Sequence, residues 1–119
     1  DRKLFLCEEF SRFKAKYIEE GVNGKFQLAQ FKLFQDQVNG GLADCCEPTY
    51  GGVPYGSLNN GMRINLGVDV IRTISRHYGL TVPLVVDNAE SVTTLMDAGT
   101  QVIRMVVSEM DKSLRIEVA

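Results

Sequence analysis

The chain has 119 residues, 45% of them apolar and 24% charged, the proportions of one globular domain with room for a core. A formal net charge of −2 excludes a general electrostatic attraction to nucleic acid. No apolar run approaches the ~20 residues of a membrane-spanning helix.

The first residues are charged, without the apolar stretch of a signal peptide. A chain that opens at Asp1 with no methionine and enters a helix at once reads as a cut from something longer. The three cysteines, Cys7, Cys45 and Cys46, are odd in number, two are adjacent, and no C-x-x-C spacing occurs. They read as free thiols of a reducing cytoplasm rather than a disulfide framework or a zinc site.

Residues 2–19 place Leu6, Phe10, Phe13 and Tyr17 at i, i+4, i+7 and i+11, one apolar stripe among charges of both signs. That pattern predicts an amphipathic helix, ended by Gly21, Asn23 and Gly24. Two roles fit it: a helix packed on the domain, or the end of a coiled-coil arm. Over residues 25–35 the apolar side chains partly alternate and slip phase near Ala29 and Gln30, which predicts a strand with a bulge. Asn39-Gly40-Gly41 reads as a turn. Two short strands follow, over 42–47 and 53–55, around a loop holding Pro48, Gly51 and Gly52. The front half is thus a small antiparallel sheet.

A helix over about 61–78 is the best-defined element. Ile64, Val68, Ile71 and Ser75 line one face, and Leu66, Val70 and Ile74 widen it. Asn65, Asp69, Arg72 and Arg76 form one narrow polar stripe, so most of the helix is expected to be buried. Gly79 stops it. Residues 82–86 are a continuous apolar run, typical of a parallel strand covered on both faces, and lead into Asp87, Asn88 and Glu90. A short helix over 91–97, an apolar strand over 101–107 and an alternating edge strand over 113–118 complete an α/β half. A helix N-terminus with free N–H groups suits a phosphate, and carboxylates at the end of a buried strand stand where α/β sheets bind ligands.

These motifs, in this order, carry a resemblance. A glycine turn opening a buried helix, then an apolar strand ending in acid, a short helix and another apolar strand, resembles the C-terminal lobe of an ABC-type ATPase head. More narrowly, the string LNN…RIN…DNAES resembles SMC-like ATPases of chromosome maintenance and repair, including phage-encoded members. The likeness spans nearly the whole chain, with residues 1–24 matching the end of a returning coiled-coil arm and 25–119 the ATPase lobe. It implies an α/β fold, the C-terminal half of a P-loop ABC-type head, with a mixed sheet, a small antiparallel front sheet and a long buried signature helix.

In that family a Leu-Ser-Gly-Gly-Glu/Gln signature reaches across a dimer to the γ-phosphate of ATP held by the other head. Leu58, Asn59, Asn60, Gly61 and Met62 stand at those positions. Asn59 can still donate from its amide, and Gly61 keeps the backbone approachable. Asn60 and Met62 depart from the pattern. Asn59 and Asn60 also suit a plain helix cap. The strand ending at Asp87 resembles a Walker B motif, whose Asp serves Mg²⁺ and whose following Glu activates water. Asn88 occupies that Glu position and cannot take a proton. The resemblance therefore implies Asp87 for the metal, and Glu90, three residues on, is the nearest substitute, as base or second metal ligand, against the simpler reading that both acids favour a helix start.

Ser108 and Glu109 stand where the family has a switch histidine. The single histidine, His77, reads as a solvated helix-end residue. No G-x-x-x-x-G-K-[S/T] loop occurs, so ATP must be gripped by an N-terminal Walker A lobe. The implied partners are that lobe and a second head in a homodimer, with DNA as the object of the coupled work and no membrane. The rival reading is a catalytically inactive interaction module, with Asn88 and Met62 marking lost chemistry. A metal-dependent hydrolase built on Asp87, Glu90 and Asp97 is a weaker one, since metal centres draw ligands from several elements.

Overall fold

A computed structural model describes residues 2–38 and 40–118; Asn39 of the expected turn lies outside them. The chain is a mixed α/β domain. Helix α1 (Arg2–Asn23) runs through Gly21 to Asn23. Asn23 ends it by turning its side chain onto Phe31, donating to that carbonyl at 3.0 Å and accepting its N–H at 2.7 Å. Beyond the helix, strand β1 (Gln30–Asp36) pairs antiparallel with β2 (Leu42–Tyr50), and β2 with β3 (Val53–Pro54).

Residues 25–29, expected within the first strand, form a loop instead. Their backbone donors have another acceptor: Asp69 takes the N–H groups of Gln27, Leu28 and Ala29 at 2.7–3.2 Å. The bulge falls further on, between Lys32 and Phe34, where Leu33 faces both Cys45 and Cys46. The adjacent cysteines are the doubled residues of that bulge, and all three cysteines are free. Pro48 sits inside β2. The hairpin turn is Gly51-Gly52, with φ of 55° and 81°, a pair of left-handed conformations that only glycine adopts cheaply.

Helix α2 (Asn60–Tyr78) is capped at both ends. The Asn59 side chain accepts the N–H of Met62, and Gly79 (φ 64°) closes the last turn in the left-handed conformation. The expected burial holds in part. Leu66 and Val68 of the expected apolar face are buried, and so is Asp69 of the polar stripe. Asn65, Asp69 and Arg72 bond the chain's own loops, while Ile71, Ile74 and Tyr78 lie open; Ile74 is 49% exposed. The long helix is therefore half-buried. A helix buries only the arc that has something against it, and here side-chain hydrogen bonds help select that arc beside the apolar contacts.

Strands β4 (Leu84–Val86) and β5 (Val102–Arg104) pair in parallel, forming a second sheet separate from the first. Among the described residues the small antiparallel front sheet forms as expected, and the expected mixed sheet is reduced to this parallel pair. Between β4 and β5 a single 3₁₀ turn (Ala89–Ser91) replaces the helix expected over 91–97. Val92, Thr93 and Thr94 are β-branched and poor helix formers, and Asn65 occupies the backbone of Thr94 and Met96. No strand forms over 113–118. Arg115 pairs there with Asp111 and Glu117, and Leu114, Ile116 and Val118 face solvent.

The buried apolar residues are Ala15, Ala29, Leu66, Val68, Val86, Ala89 and Val92, mostly small side chains. The accessible surface is 9369 Å², against roughly 6,400 Å² for a compact monomer of this mass. The radius of gyration is 19.6 Å, where about 13.5 Å is usual for this length. Both comparisons say that the chain is more open than a compact globule of its length.

Candidate functional site: the start of α2 and the acid turn

The first turn of α2 leaves N–H groups without intrahelical acceptors. Met62 N is satisfied by Asn59 Oδ1 at 2.8 Å, and Arg63 N by the Asn59 carbonyl at 3.0 Å. The donors of Asn60 and Gly61 remain available for an anion. Because Asn59 uses its oxygen in the cap, its amide NH₂ is left as a donor. The cap and the donor are compatible roles.

Gly61 has a second constraint. A Cβ there would lie 2.7 Å from the carbonyl oxygen of Ser91, closer than real side chains approach. The missing side chain lets the 3₁₀ turn after β4 sit directly on the first turn of α2. The start of the helix and the end of the turn that carries Glu90 are therefore in direct contact.

Asp87 follows β4 with its side chain exposed, and its Oδ1 accepts the N–H of Asn88 at 2.8 Å. Its second oxygen is unengaged. Asn88 adopts a left-handed conformation, φ 56° and ψ 39°, which asparagine tolerates better than most residues. This kink turns the chain so that Ala89 points inward, 1% exposed, while Glu90 faces solvent. Among the described residues no group of three His, Cys, Asp or Glu side chains could hold a metal. One carboxylate suffices only for an ion that keeps waters and takes its remaining ligands from phosphates, as Mg²⁺ does.

Two of the arginines on α2 are tied down, while Arg76 is exposed. Arg63 donates to the carbonyls of Tyr55 and Gly56 and lies 5.7 Å over the Tyr55 ring. Arg72 donates to Gln27 Oε1 at 3.0 Å. They stitch loops to α2 and do not form a track for phosphates. His77 is exposed, edge-on to Tyr78. A cleft of about 280 Å³ at the far end of α2, lined by Arg72, Arg76, Leu80 and Thr81 among others, includes none of the site residues.

Sequence reasoning missed Asn65 and Asp69 as internal ties. Their signal was present: polar residues four apart on a largely apolar helix can serve a buried polar contact as well as a wet face. Comparison with known protein families, curated proteins and solved structures finds no match to this chain. Among the described residues no helix is long and apolar enough to cross a membrane.

Proposed function

We propose that this chain is the C-terminal lobe of an SMC-like, ABC-type ATPase head, supplying signature and Walker B functions to a nucleotide gripped elsewhere. The observation that carries the reading is the close approach of Gly61 to the Ser91 carbonyl, which sets the first turn of α2 directly against the turn that follows Asp87. In this reading Asn59, Asn60 and Gly61 reach from one head to the γ-phosphate in a second. Asp87 would hold Mg²⁺, and Glu90 would take the proton of the attacking water. The metal, when bound, neutralises charge developing on the phosphates. Asn88 positions the turn and takes no proton. The coupled work on DNA rests on the resemblance alone.

The open apolar surface supports a missing lobe. Val85 and Ile103, paired across β4 and β5, are 55% and 47% exposed on one face of the sheet. Parallel strands are normally covered on both faces. An N-terminal Walker A lobe is the occupant this reading assigns. Replacing Val85 and Ile103 together by Thr is expected to change the chain's own stability by no more than about 1 kcal/mol, since both are about half exposed and Thr keeps a β-branched side chain in the strand. Association with the Walker A lobe, measured by titration of the two pieces, should weaken tenfold or more. Unchanged association would remove this face from the interface.

A further inference from the structure

We propose that Asn65 is a positioning residue that fixes the acid turn relative to the start of α2. The inference rests on the reading of Asp87 and Glu90 as the metal and proton-accepting groups, and adds how they are held.

The turn is anchored on two sides. On the strand side the ties are backbone bonds: Met105 N to the Val86 carbonyl at 2.8 Å and Ala89 N to the Met105 carbonyl at 3.0 Å. On the other side the chain leaves Ser91 with no strand partner and no regular structure until β5. There Asn65 supplies both halves of a backbone-like pair. Its Nδ2 donates to the Thr94 carbonyl at 3.0 Å, and its Oδ1 accepts Met96 N at 2.9 Å. Val92, lying between these ties and the turn, is buried. Asn65 is four residues beyond Gly61, on the same face of the helix, where Gly61 meets Ser91. Helix start and acid turn are thereby built as one body, with Glu90 between the anchors.

A reacting group displaced by 1 Å can cost on the order of 10²-fold in rate. Asn65 itself touches neither the free N–H groups of Asn60 and Gly61 nor the carboxylates, so it should govern turnover rather than binding. Asn65→Leu keeps the volume and removes both bonds; Asn65→Asp keeps the acceptor for Met96 and loses the donor. In the full-length protein, Asn65→Leu is expected to lower kcat on the order of 10²-fold, with KM for ATP within about twofold. Amide exchange over residues 92–96 should accelerate about tenfold or more, and Asn65→Asp should fall between it and the wild type in kcat. Turnover unaffected by Asn65→Leu, or exchange unchanged over 92–96, would overturn this proposal alone. Where Asn65→Leu does not fold, a wild-type kcat in Asn65→Asp does the same. Absence of hydrolysis in the wild type would fell the acid-pair reading, and this inference with it.

Discussion

Replacing Asp69 by Ala is expected to destabilise the chain more than any other single substitution, by about 3 kcal/mol or more. The carboxylate is 1% exposed and accepts the N–H groups of three successive residues, Gln27, Leu28 and Ala29. Alanine would leave three donors unpaired, the buried Ala29 N–H at a cost of about 1–3 kcal/mol and the part-buried ones of Gln27 and Leu28 at less, since water can reach them. The same bonds fix the loop that leads into β1, so the antiparallel sheet would lose its main tie to α2. Asp69→Asn should recover part of the loss, because all three N–H groups meet one oxygen, Oδ2, where an amide oxygen can stand, and only the longer Gln27 contact at Oδ1 would face the NH₂ group. Urea unfolding followed by circular dichroism measures the change. A loss below about 1 kcal/mol would mean that the loop is held by something other than this carboxylate.

Asp87→Ala in the full-length protein is expected to lower ATP turnover on the order of 10² to 10³-fold, the scale for removing one group that stabilises transition-state charge. Stability should hardly change, because the side chain is exposed and bonds only its neighbour's N–H. That separation of effects distinguishes it from Asp69→Ala. Glu90→Gln offers a parallel test: a comparable loss marks Glu90 as the base, whereas unchanged turnover leaves it only as an acid at the head of a 3₁₀ turn. Hydrolysis insensitive to Asp87→Ala would refute the Walker B reading.

Several elements could be read from the residues because their signals are local. Asn59 and Gly79 mark the ends of α2 by cap chemistry, and Gly51-Gly52 marks a hairpin by its demand for positive φ. The apolar run ending at Asp87 identifies β4, and its pairing with β5 is parallel as expected. The mistaken elements depended on distant partners. Whether residues 25–29 become strand or loop is decided by Asp69, some forty positions later, whose carboxylate competes for their N–H groups. Residues 91–97 are likewise withheld from a helix by Asn65.

The burial of α2 was only partly read for a related reason. A largely apolar helix with a thin polar stripe resembles a buried helix with a wet edge. Here that edge is an internal attachment through Asn65 and Asp69, Leu66 and Val68 are buried as expected, and Ile71 and Ile74 are exposed. The pattern over 113–118 has the alternation of a strand, yet no strand forms, since alternation supplies a face to bury but no partner to pair with. Of the site, the residue types at 59–61 and 87–90 were visible in the sequence. The contact between the two segments was not, because it depends on the close approach of Gly61 to the Ser91 carbonyl.

The most direct test of the account is calorimetric titration of Mg-ATP into this 119-residue chain, alone and joined to its Walker A lobe. The chain alone should give no binding heat, because it has no loop to grip the β- and γ-phosphates, and the joined protein should bind with micromolar affinity. Micromolar binding to the chain by itself, or none to the joined protein, would contradict the claim that this is half of an ATPase head.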